Sequence, residues 1–317
     1  AYSIMTDEQI KEFEQTMEMD MAISAKDIGR FRINVFRQRG EVAMVARYIK
    51  ADIASVQSLN LPPILEELVM AARGLVLVVG TTGSGKSTTL AAMIEHRNRH
   101  KTGHILTIED PIEYLHQHRQ AIVNQREVGL DTLSYAHALK RAMREAPDVI
   151  MIGEIRDQET MQQALAYADT GHLCLSTLHA TNATQTLERI INFFPENAQR
   201  QLYMDLSLNL RAIVSQRLVA GVDRKRLPAV EVMLNTPHIA DLIQKGKIND
   251  IMSAVEQGAN IGMQTFDQAL YQLYEAGKVT VDEALNHADS RNDLSLRIRL
   301  SKDGGVDADD MDGYSLS

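Results

Sequence analysis

The chain has 317 residues, of which 44% are hydrophobic and 24% charged, the composition of a globular protein with room for one large domain or two modest ones. Its net charge of −9 argues against a surface that neutralises many nucleic-acid phosphates, and we expect no nucleic-acid partner. Cys174 is the one cysteine, which excludes an internal disulfide, and the apolar runs fall short of the roughly 20 residues of a membrane helix, so we expect a cytoplasmic protein.

The first part of the chain, residues 1–58, has the pattern of a small mixed domain. The polar segment "TDEQIKEFEQTM" predicts a helix, and "RFRINVFRQRG" and "EVAMVARYI" predict the strands of a hairpin with its turn at Arg39 and Gly40. The sequence begins at Ala1 in the middle of a pattern, so we expect the front of this domain to be missing.

A predicted linker, residues 59–73, separates this domain from a core at residues 74–195. Pro62 and Pro63 break the chain and begin a helix whose end is marked by Gly74. In the core, β-rich runs at residues 75–79, 105–108, 149–152 and 173–178 alternate with helical segments. This alternation predicts an α/β fold with a mostly parallel sheet covered on both faces.

The pattern becomes helical after residue 195. Segments such as "ENAQRQLYMDLSLNLRAIVSQRLV" and "MQTFDQALYQLYEAGK" carry apolar residues three and four positions apart, which predicts a helical subdomain over residues 196–300. Residues 301–317 contain a run of aspartates and little to bury, so we expect a disordered acidic tail.

The stretch "GTTGSGKSTT" satisfies the pattern G-x-x-x-x-G-K-[ST] between an apolar strand and a helix. In this pattern backbone N–H groups surround phosphate oxygens, the Lys86 ammonium reaches the β and γ phosphates, and the Ser87 hydroxyl binds Mg²⁺. A glycine-serine turn that fits by chance is the alternative, and the flanking strand and helix argue against it. We expect ATP or GTP to bind at Gly80, Thr82, Gly83, Ser84, Gly85, Lys86, Ser87 and Thr88.

Hydrolysis also requires carboxylates, and these follow two of the predicted strands. Glu154 ends the apolar run "VIMIGE", where the carboxyl ends of parallel strands meet the ligand crevice, so we expect a Walker B residue that holds Mg²⁺. The run "ILTIEDPIEYLH" offers Glu109, Asp110 and Glu113, of which at least one could face the γ-phosphate. A merely solvated acidic loop is the alternative, and the spacing does not choose among the three.

Two histidines flank the predicted strand in "GHLCLSTLHATNA". Seven residues of strand span about 23 Å, so His172 and His179 cannot both touch one phosphate. His179 lies at the carboxyl end, where it could sense the γ-phosphate, whereas His172 is more typical of a structural residue. We expect Cys174 to be a small buried side chain, and the histidines of "HRNRH" and "HQHRQ" to be solvated rather than metal ligands.

An arginine from another domain or subunit often completes phosphoryl transfer. In the alternating segment "RFRINVF", Arg30 and Arg32 share one face of a strand. This pattern suggests a ring in which one chain supplies an arginine to the next, and a polar solvated face is the alternative. The arginines of the N-terminal domain are Arg30, Arg32, Arg37, Arg39 and Arg47.

Five motifs, in order, resemble those of the secretion and type IV pilus ATPases: "GTTGSGKSTTLAAMIEHRN", "HILTIEDPIEYLH", "QREVGLDT", "APDVIMIGEIRD" and "TGHLCLSTLHATNA". The retraction branch of that family is the most similar, through "NQREVGLDT", "FFPENAQ" and "GANIGMQTFDQAL". The resemblance covers nearly the whole chain except the tail.

The resemblance implies a truncated PAS-like N-terminal domain that swings over a RecA-like core. It also implies a hexameric ring that turns ATP hydrolysis into rotation of an inner-membrane platform protein. Carried over position by position, the functional residues are the general base Glu113, the Walker B residue Glu154, the phosphate and Mg²⁺ ligands Lys86 and Ser87, the histidine pair His172 and His179, and Arg32 and Arg47 of the N-terminal domain.

This chain departs from the sequence pattern of the main retraction motors in two places. Main retraction motors carry "AIRNLIRE", whereas this chain has "HIADLIQK", with Ala240 and Gln244 where the arginines would stand. Together with the aspartate-rich tail, this resembles accessory retraction ATPases, which act beside a main pilus retraction ATPase at the cytoplasmic face of the inner membrane. We therefore expect an ATPase that assists pilus retraction and twitching motility. The alternatives are a nucleotide-gated docking subunit with little hydrolysis of its own, or a pilus extension or secretion ATPase.

Overall fold

The computed structural model describes residues 1–26 and 28–303, so most of the predicted acidic tail, residues 304–317, lies outside the described residues. The N-terminal strands form an antiparallel sheet in the order β1-β2-β3. The elements of this domain are a short 3-10 helix, Tyr2–Ile4, then α1 (Asp7–Thr16), β1 (Glu18–Ala25), β2 (Gly29–Gln38) and β3 (Glu41–Ile49).

Helix α1 has a complete set of local signals. The Thr6 side chain accepts a hydrogen bond from the Gln9 N–H, and the Gln9 side chain accepts one from the Thr6 N–H, which forms a capping box. Met17 ends the helix in the left-handed conformation. The predicted helix and hairpin are confirmed, and β1 is a further strand that the sequence did not reveal. Phe13 of α1 is fully buried in a cluster with Met19, Met21, Ile33 and Val35.

Strands and helices alternate through the core, as predicted, and all four predicted strands are present. Helix α2 ends at Met70, so Gly74 begins a strand instead of marking the end of the helix. The elements are α2 (Ile64–Met70), β4 (Gly74–Val79), α3 (Lys86–His100), β5 (Gly103–Glu109), β6 (Ala121–Glu127), α4 (Tyr135–Ala142), a 3-10 turn at Met143–Glu145, β7 (Val149–Ile152), α5 (Gln158–Asp169), β8 (Leu173–Leu178) and α6 (Ala183–Asn192).

The C-terminal part contains a strand pair as well as the predicted helices. Its elements are α7 (Glu196–Asn209), β9 (Leu210–Ala220), β10 (Arg226–Leu234), α8 (Pro237–Gln244), α9 (Ile251–Gln257), α10 (Phe266–Glu275), α11 (Val281–His287) and α12 (Arg291–Asp303), with 3-10 turns at Ile248–Asp250 and Ala259–Ile261.

The helix predicted for "ENAQRQLYMDLSLNLRAIVSQRLV" is wrong beyond Asn209, where the chain enters β9. Ile213 and Val214 of this strand are fully buried, and such β-branched side chains favour strands. The pairing partner, β10, lies further along the chain and runs antiparallel to β9. Local spacing cannot distinguish a short buried strand from a helix, so this prediction failed where the pairing is non-local.

A seven-stranded sheet forms the core, in the order β10-β9-β4-β8-β7-β5-β6. β5 pairs in parallel with β6 and β7, and β7 pairs in parallel with β8. β4, β7 and β8 are buried at every position, as expected of strands covered on both faces. The predicted α/β fold with a mostly parallel sheet is confirmed.

The chain divides into two compact units. The first comprises Ala1–Ser58, Leu65–Leu75 and Ser87–Thr177, and the second comprises Leu59–Ile64, Val76–Lys86 and Leu178–Ser317. The second unit has its own apolar cluster, which includes Val219, Phe266, Leu270, Val279, Ala284, Leu294 and Ile298.

A carboxyl group lies deep inside the second unit. Glu231 of β10 is 0% exposed, and its Oε1 accepts hydrogen bonds from the Ala183 N–H at 2.7 Å and the Ser215 hydroxyl at 2.8 Å. Its Oε2 is buried without a hydrogen-bond partner among the described residues. Burial raises the pKa of Glu231 from its ordinary 4.5 to about 7.

Ionisation of Glu231 is therefore expected to weaken the fold as pH rises. Between pH 4.5 and 7 the folded chain keeps a proton that the unfolded chain has lost, so this group lowers the free energy of unfolding with increasing pH. The variant Glu231→Gln removes this contribution, and its stability relative to wild type should rise from pH 5 to pH 8 by up to about 3 kcal/mol. Urea unfolding at fixed protein concentration measures the difference. Glu188→Gln, at an exposed position of α6, is the matched control, and a pH-independent difference for Glu231→Gln would contradict the assignment.

Candidate active site

The phosphate loop, residues 80–87, connects the buried strand β4 to helix α3. Gly80, Gly83 and Gly85 have φ angles of 153°, 80° and 94°, which glycine adopts without strain. Helix α3 begins at Lys86, so its first N–H groups and the positive end of its dipole lie at the end of the loop. This is the backbone arrangement that binds phosphate at a helix N-terminus.

The Lys86 side chain folds back over the loop. Its ammonium donates hydrogen bonds to the carbonyl oxygens of Gly80 at 3.0 Å and Thr81 at 2.9 Å. These oxygens are neutral acceptors, with which the oxygens of a charged phosphate can compete for the ammonium.

The donor set of the loop fits a nucleotide polyphosphate with Mg²⁺. Thr81, Thr82 and Gly83 are exposed, which leaves the loop open to solvent. Backbone N–H groups and the Lys86 ammonium suit phosphate oxygens, and the Ser87 hydroxyl is a hard oxygen ligand of the kind Mg²⁺ prefers.

The three acidic residues at and just beyond the end of β5 differ in their solvent exposure. Glu109 is 8% exposed, and its Oε1 accepts hydrogen bonds from the Thr107 hydroxyl at 2.7 Å and from Gln125 Nε2 at 3.1 Å. Burial raises the pKa of Glu109, and these bonds together with one from the Glu113 backbone N–H oppose that rise. Glu109 is therefore engaged in holding the loop that carries Glu113.

Asp110 and Glu113 are exposed on that loop, and Tyr114 ties it to helix α3. The Tyr114 hydroxyl lies 2.8 Å from Thr88 Oγ1, and the Tyr114 carbonyl accepts a hydrogen bond from Gln125 Nε2 at 2.8 Å. No sequence signal singles out Tyr114, because an aromatic residue beside a turn is usually part of the core. The loop that carries the exposed Glu113 is thus held by Thr88 of α3 and by Gln125 of β6, both through Tyr114.

Glu154 follows β7, with Gly153 between the strand and the carboxylate. A Cβ on Gly153 would lie 2.7 Å from Tyr135 Oη, so this close approach requires glycine. Glu154 Oε2 accepts a hydrogen bond from Arg156 Nε at 2.8 Å, which raises the pKa of Arg156. Arg156 Nη1 also lies 3.9 Å from Asp110 Oδ2. Arg156 therefore lies between two acidic residues, Asp110 and Glu154, a role that its place in "GEIRD" did not reveal.

His172 and His179 lie at opposite ends of β8, as predicted. His172 Nδ1 lies 3.2 Å from both Tyr167 O and Thr170 Oγ1, contacts that anchor it to the end of helix α5. His179 is half-buried just beyond the carboxyl end of the strand. Cys174 is fully buried, as predicted, and burial raises the pKa of its thiol to about 12.

The two N-terminal arginines taken from the resemblance are neighbours. Arg32 on β2 and Arg47 on β3 are direct cross-strand partners. Arg32 Nη2 lies 4.0 Å from Asp20 Oδ1, and Arg47 is exposed. The strand register therefore places two guanidinium groups side by side.

Arg30 connects the N-terminal sheet to the core of the first unit. Its Nη2 lies 4.0 Å from Glu127 Oε2 at the end of β6. The same carboxylate oxygen accepts a hydrogen bond from the Ile112 N–H at 3.4 Å, one residue before Glu113. The sequence did not identify Glu127, because its partners are distant along the chain.

The histidines of "HRNRH" lie on helix α3, where the His96 and His100 rings are 4.4 Å apart and His96 Nδ1 lies 3.7 Å from Glu66 Oε1. Across residues 1–26 and 28–303, no group of three or more His, Cys, Asp or Glu side chains is placed to hold a metal ion. Within the same residues, no helix combines the length and the apolar character needed to cross a membrane.

Comparisons with known proteins cover most of the chain. A family described as type II/IV secretion system protein matches residues 14–226. The type IV pilus ATPase PilU of Pseudomonas aeruginosa is 56% identical over 305 residues, which cover 96% of this chain and 80% of PilU. A twitching motility protein of Neisseria gonorrhoeae is 42% identical over 295 residues, which cover 93% of this chain and 79% of that protein.

A crystal structure of the pilus retraction motor PilT with bound ADP has a TM-score of 0.88 and 43% identity to this chain, covering 93% of this chain and 84% of PilT. This similarity confirms the predicted RecA-like α/β fold. The chain belongs to the type II/IV secretion ATPase family and, within it, to the ATPases of type IV pilus retraction.

Proposed function

We propose that this chain is an accessory motor subunit that hydrolyses Mg²⁺-ATP in a hexameric ring at the cytoplasmic face of the inner membrane. There it assists a main retraction ATPase and acts on the inner-membrane platform protein of the pilus. The names of the relatives, PilU and the retraction motor PilT, support this role. The observation that carries the catalytic part is the exposed Glu113 on a loop held by Glu109 and Tyr114.

Bound Mg²⁺-ATP supplies the γ-phosphoryl group and the charge of the metal. Residues 80–87 bind the phosphates through backbone N–H groups, and the Lys86 ammonium exchanges its two carbonyl acceptors for phosphate oxygens. Ser87 and Glu154 are the residues that would hold Mg²⁺. Glu113 accepts a proton from the attacking water, and its exposure leaves the carboxylate accessible to that water.

Arg32 and Arg47 supply positive charge for the nucleotide, and two histidines flank the strand that ends near it. The guanidinium groups of Arg32 and Arg47 lie on neighbouring strands and repel each other. A bound anion relieves that repulsion, so this arginine pair, the phosphate clamp, suits a phosphate group. We assign this clamp to the nucleotide of a neighbouring chain in the ring. His179 responds to the γ-phosphate, and His172 supports the other end of the same strand.

The sequence of helix α8 supports an accessory role, and it also supports a second candidate function, that of a docking subunit. Ala240 and Gln244 stand where main retraction motors carry arginines, and the nearby Lys245 is paired with Asp241 at 2.8 Å. The Gln244 side chain instead contacts Met204 of α7. The second candidate is therefore a subunit whose nucleotide state only gates docking on the main motor.

Glu113→Ala is expected to bind ATP normally and to lower kcat at least about 100-fold, because the water loses its proton acceptor. Steady-state phosphate release and fluorescent-nucleotide binding on the same preparation measure the two effects. Glu159→Ala, which removes an exposed carboxylate at the start of α5, should keep wild-type turnover. Normal turnover by Glu113→Ala would reject the base assignment. Wild-type turnover no higher than that of Lys86→Ala, with nucleotide binding intact, would favour the gated docking subunit.

Sharing of Arg32 between chains predicts complementation in mixed rings. Arg32→Ala and Glu113→Ala chains, each weakly active alone, should regain turnover on mixing, because some sites then contain both wild-type groups. Phosphate release is measured across mixing ratios. Activity equal to the weighted sum of the two parents would count against an arginine supplied by a neighbour.

In cells, Lys86→Ala in place of the native copy should leave pilus extension intact and weaken retraction, most clearly when the main motor is crippled. Labelled pili imaged with and without the main motor provide the measurement. Lys11→Ala, which removes an exposed lysine of α1, is the control. Loss of all surface pili would instead identify an extension motor.

A further inference from the structure

Strand β9 approaches the phosphate loop at Gln216, which is 3% exposed. The Gln216 carbonyl oxygen lies 2.5 Å from the position that a Cβ on Gly80 would occupy. Its side-chain nitrogen, Nε2, lies 2.8 Å from the position of a Cβ on Gly85. A single residue therefore lies close to both glycines that define the G-x-x-x-x-G-K pattern, and all three residues lie within the second unit.

The neighbours of Gln216 on β9 have other partners. The Ser215 hydroxyl donates to Glu231 at 2.8 Å, and the Arg217 guanidinium donates to Asp289 at 2.6 Å. Since successive side chains of a strand point to opposite faces, Gln216 is the residue of this stretch whose side chain points toward the loop. The Gln216 side chain thus lies on the face of β9 opposite to the Ser215 and Arg217 side chains.

The contact with Gly85 lies directly before Lys86. Gly85 has a φ of 94°, a conformation that the loop must keep for its N–H groups to converge on phosphate. A glycine-rich loop is flexible by itself, so a rigid neighbour that restricts it reduces the entropy lost when nucleotide binds.

We propose that Gln216 is a positioning residue of the nucleotide site, whose side-chain amide holds the Gly85 to Lys86 segment in its phosphate-binding conformation. This rests on the proposed function only in taking residues 80–87 as the site of nucleotide phosphates. Gln216 sets nucleotide affinity through the loop backbone. The rate of the chemical step depends on it much less.

The test measures ADP affinity of the full chain with a fluorescent ADP analogue, because ADP binding requires no hydrolysis. Gln216→Met keeps the length of the side chain and removes the amide, and we expect the Kd for ADP and the KM for ATP to rise about 10-fold while kcat falls less than about 2-fold. A residue that only fills space would give wild-type Kd in this variant. ADP binding does not depend on Glu113 as the general base. The Gln216 proposal and the Glu113 assignment can therefore be rejected independently of each other.

Two further variants complete the design. Gln216→Glu places a negative charge beside the loop, so its loss of ADP affinity should exceed that of Gln216→Met at low salt and shrink at high salt. If Gln216→Met does not fold, the ADP affinity of Gln216→Glu tests the proposal in its place. Ser215→Ala changes the other face of the same strand and should keep the ADP affinity. Wild-type ADP affinity in both Gln216 variants, or an equal loss in Ser215→Ala, would overturn the proposal.

Discussion

Parallel pairing of the buried strands β5, β7 and β8 is the constraint on which the candidate site depends. Parallel strands end at the same edge of a sheet, so polar residues that follow them converge there without any local signal. Glu109 is the last residue of β5, and Glu154 lies two residues beyond the end of β7. The apolar strands exclude water from the backbone hydrogen bonds, and the polar groups stand where the sheet ends.

Much of this arrangement follows from the sequence, because the strands of the core are short apolar runs between helix signals. The glycine and lysine pattern of residues 80–87 also identifies its own chemistry. Strand β9 was not predictable in this way: its residues satisfy a helical spacing as well, and its partner β10 is an independent segment. The roles of Glu127, Tyr114 and Gln216 depend on residues far away along the chain, and no local pattern indicates such contacts.

The acidic residues of "IEDPIE" illustrate the same limit at the level of single side chains. They have the same charge and nearly the same sequence position, so spacing does not rank them. In the structure Glu109 is buried and hydrogen-bonded, Asp110 lies near Arg156, and Glu113 is exposed. The solvent around each carboxylate distinguishes them, and solvent exposure is a property of the folded chain.

The Lys86 ammonium rests on two carbonyl oxygens of its own loop, and this has a consequence for nucleotide exchange. Carbonyl oxygens are weaker acceptors than phosphate oxygens, so a phosphate displaces them with a net gain in electrostatic energy. When product leaves, the same two oxygens accept the ammonium again, so the loop returns to one arrangement before each new nucleotide binds. The loop thus supplies hydrogen-bond acceptors for its own cation between successive turnovers.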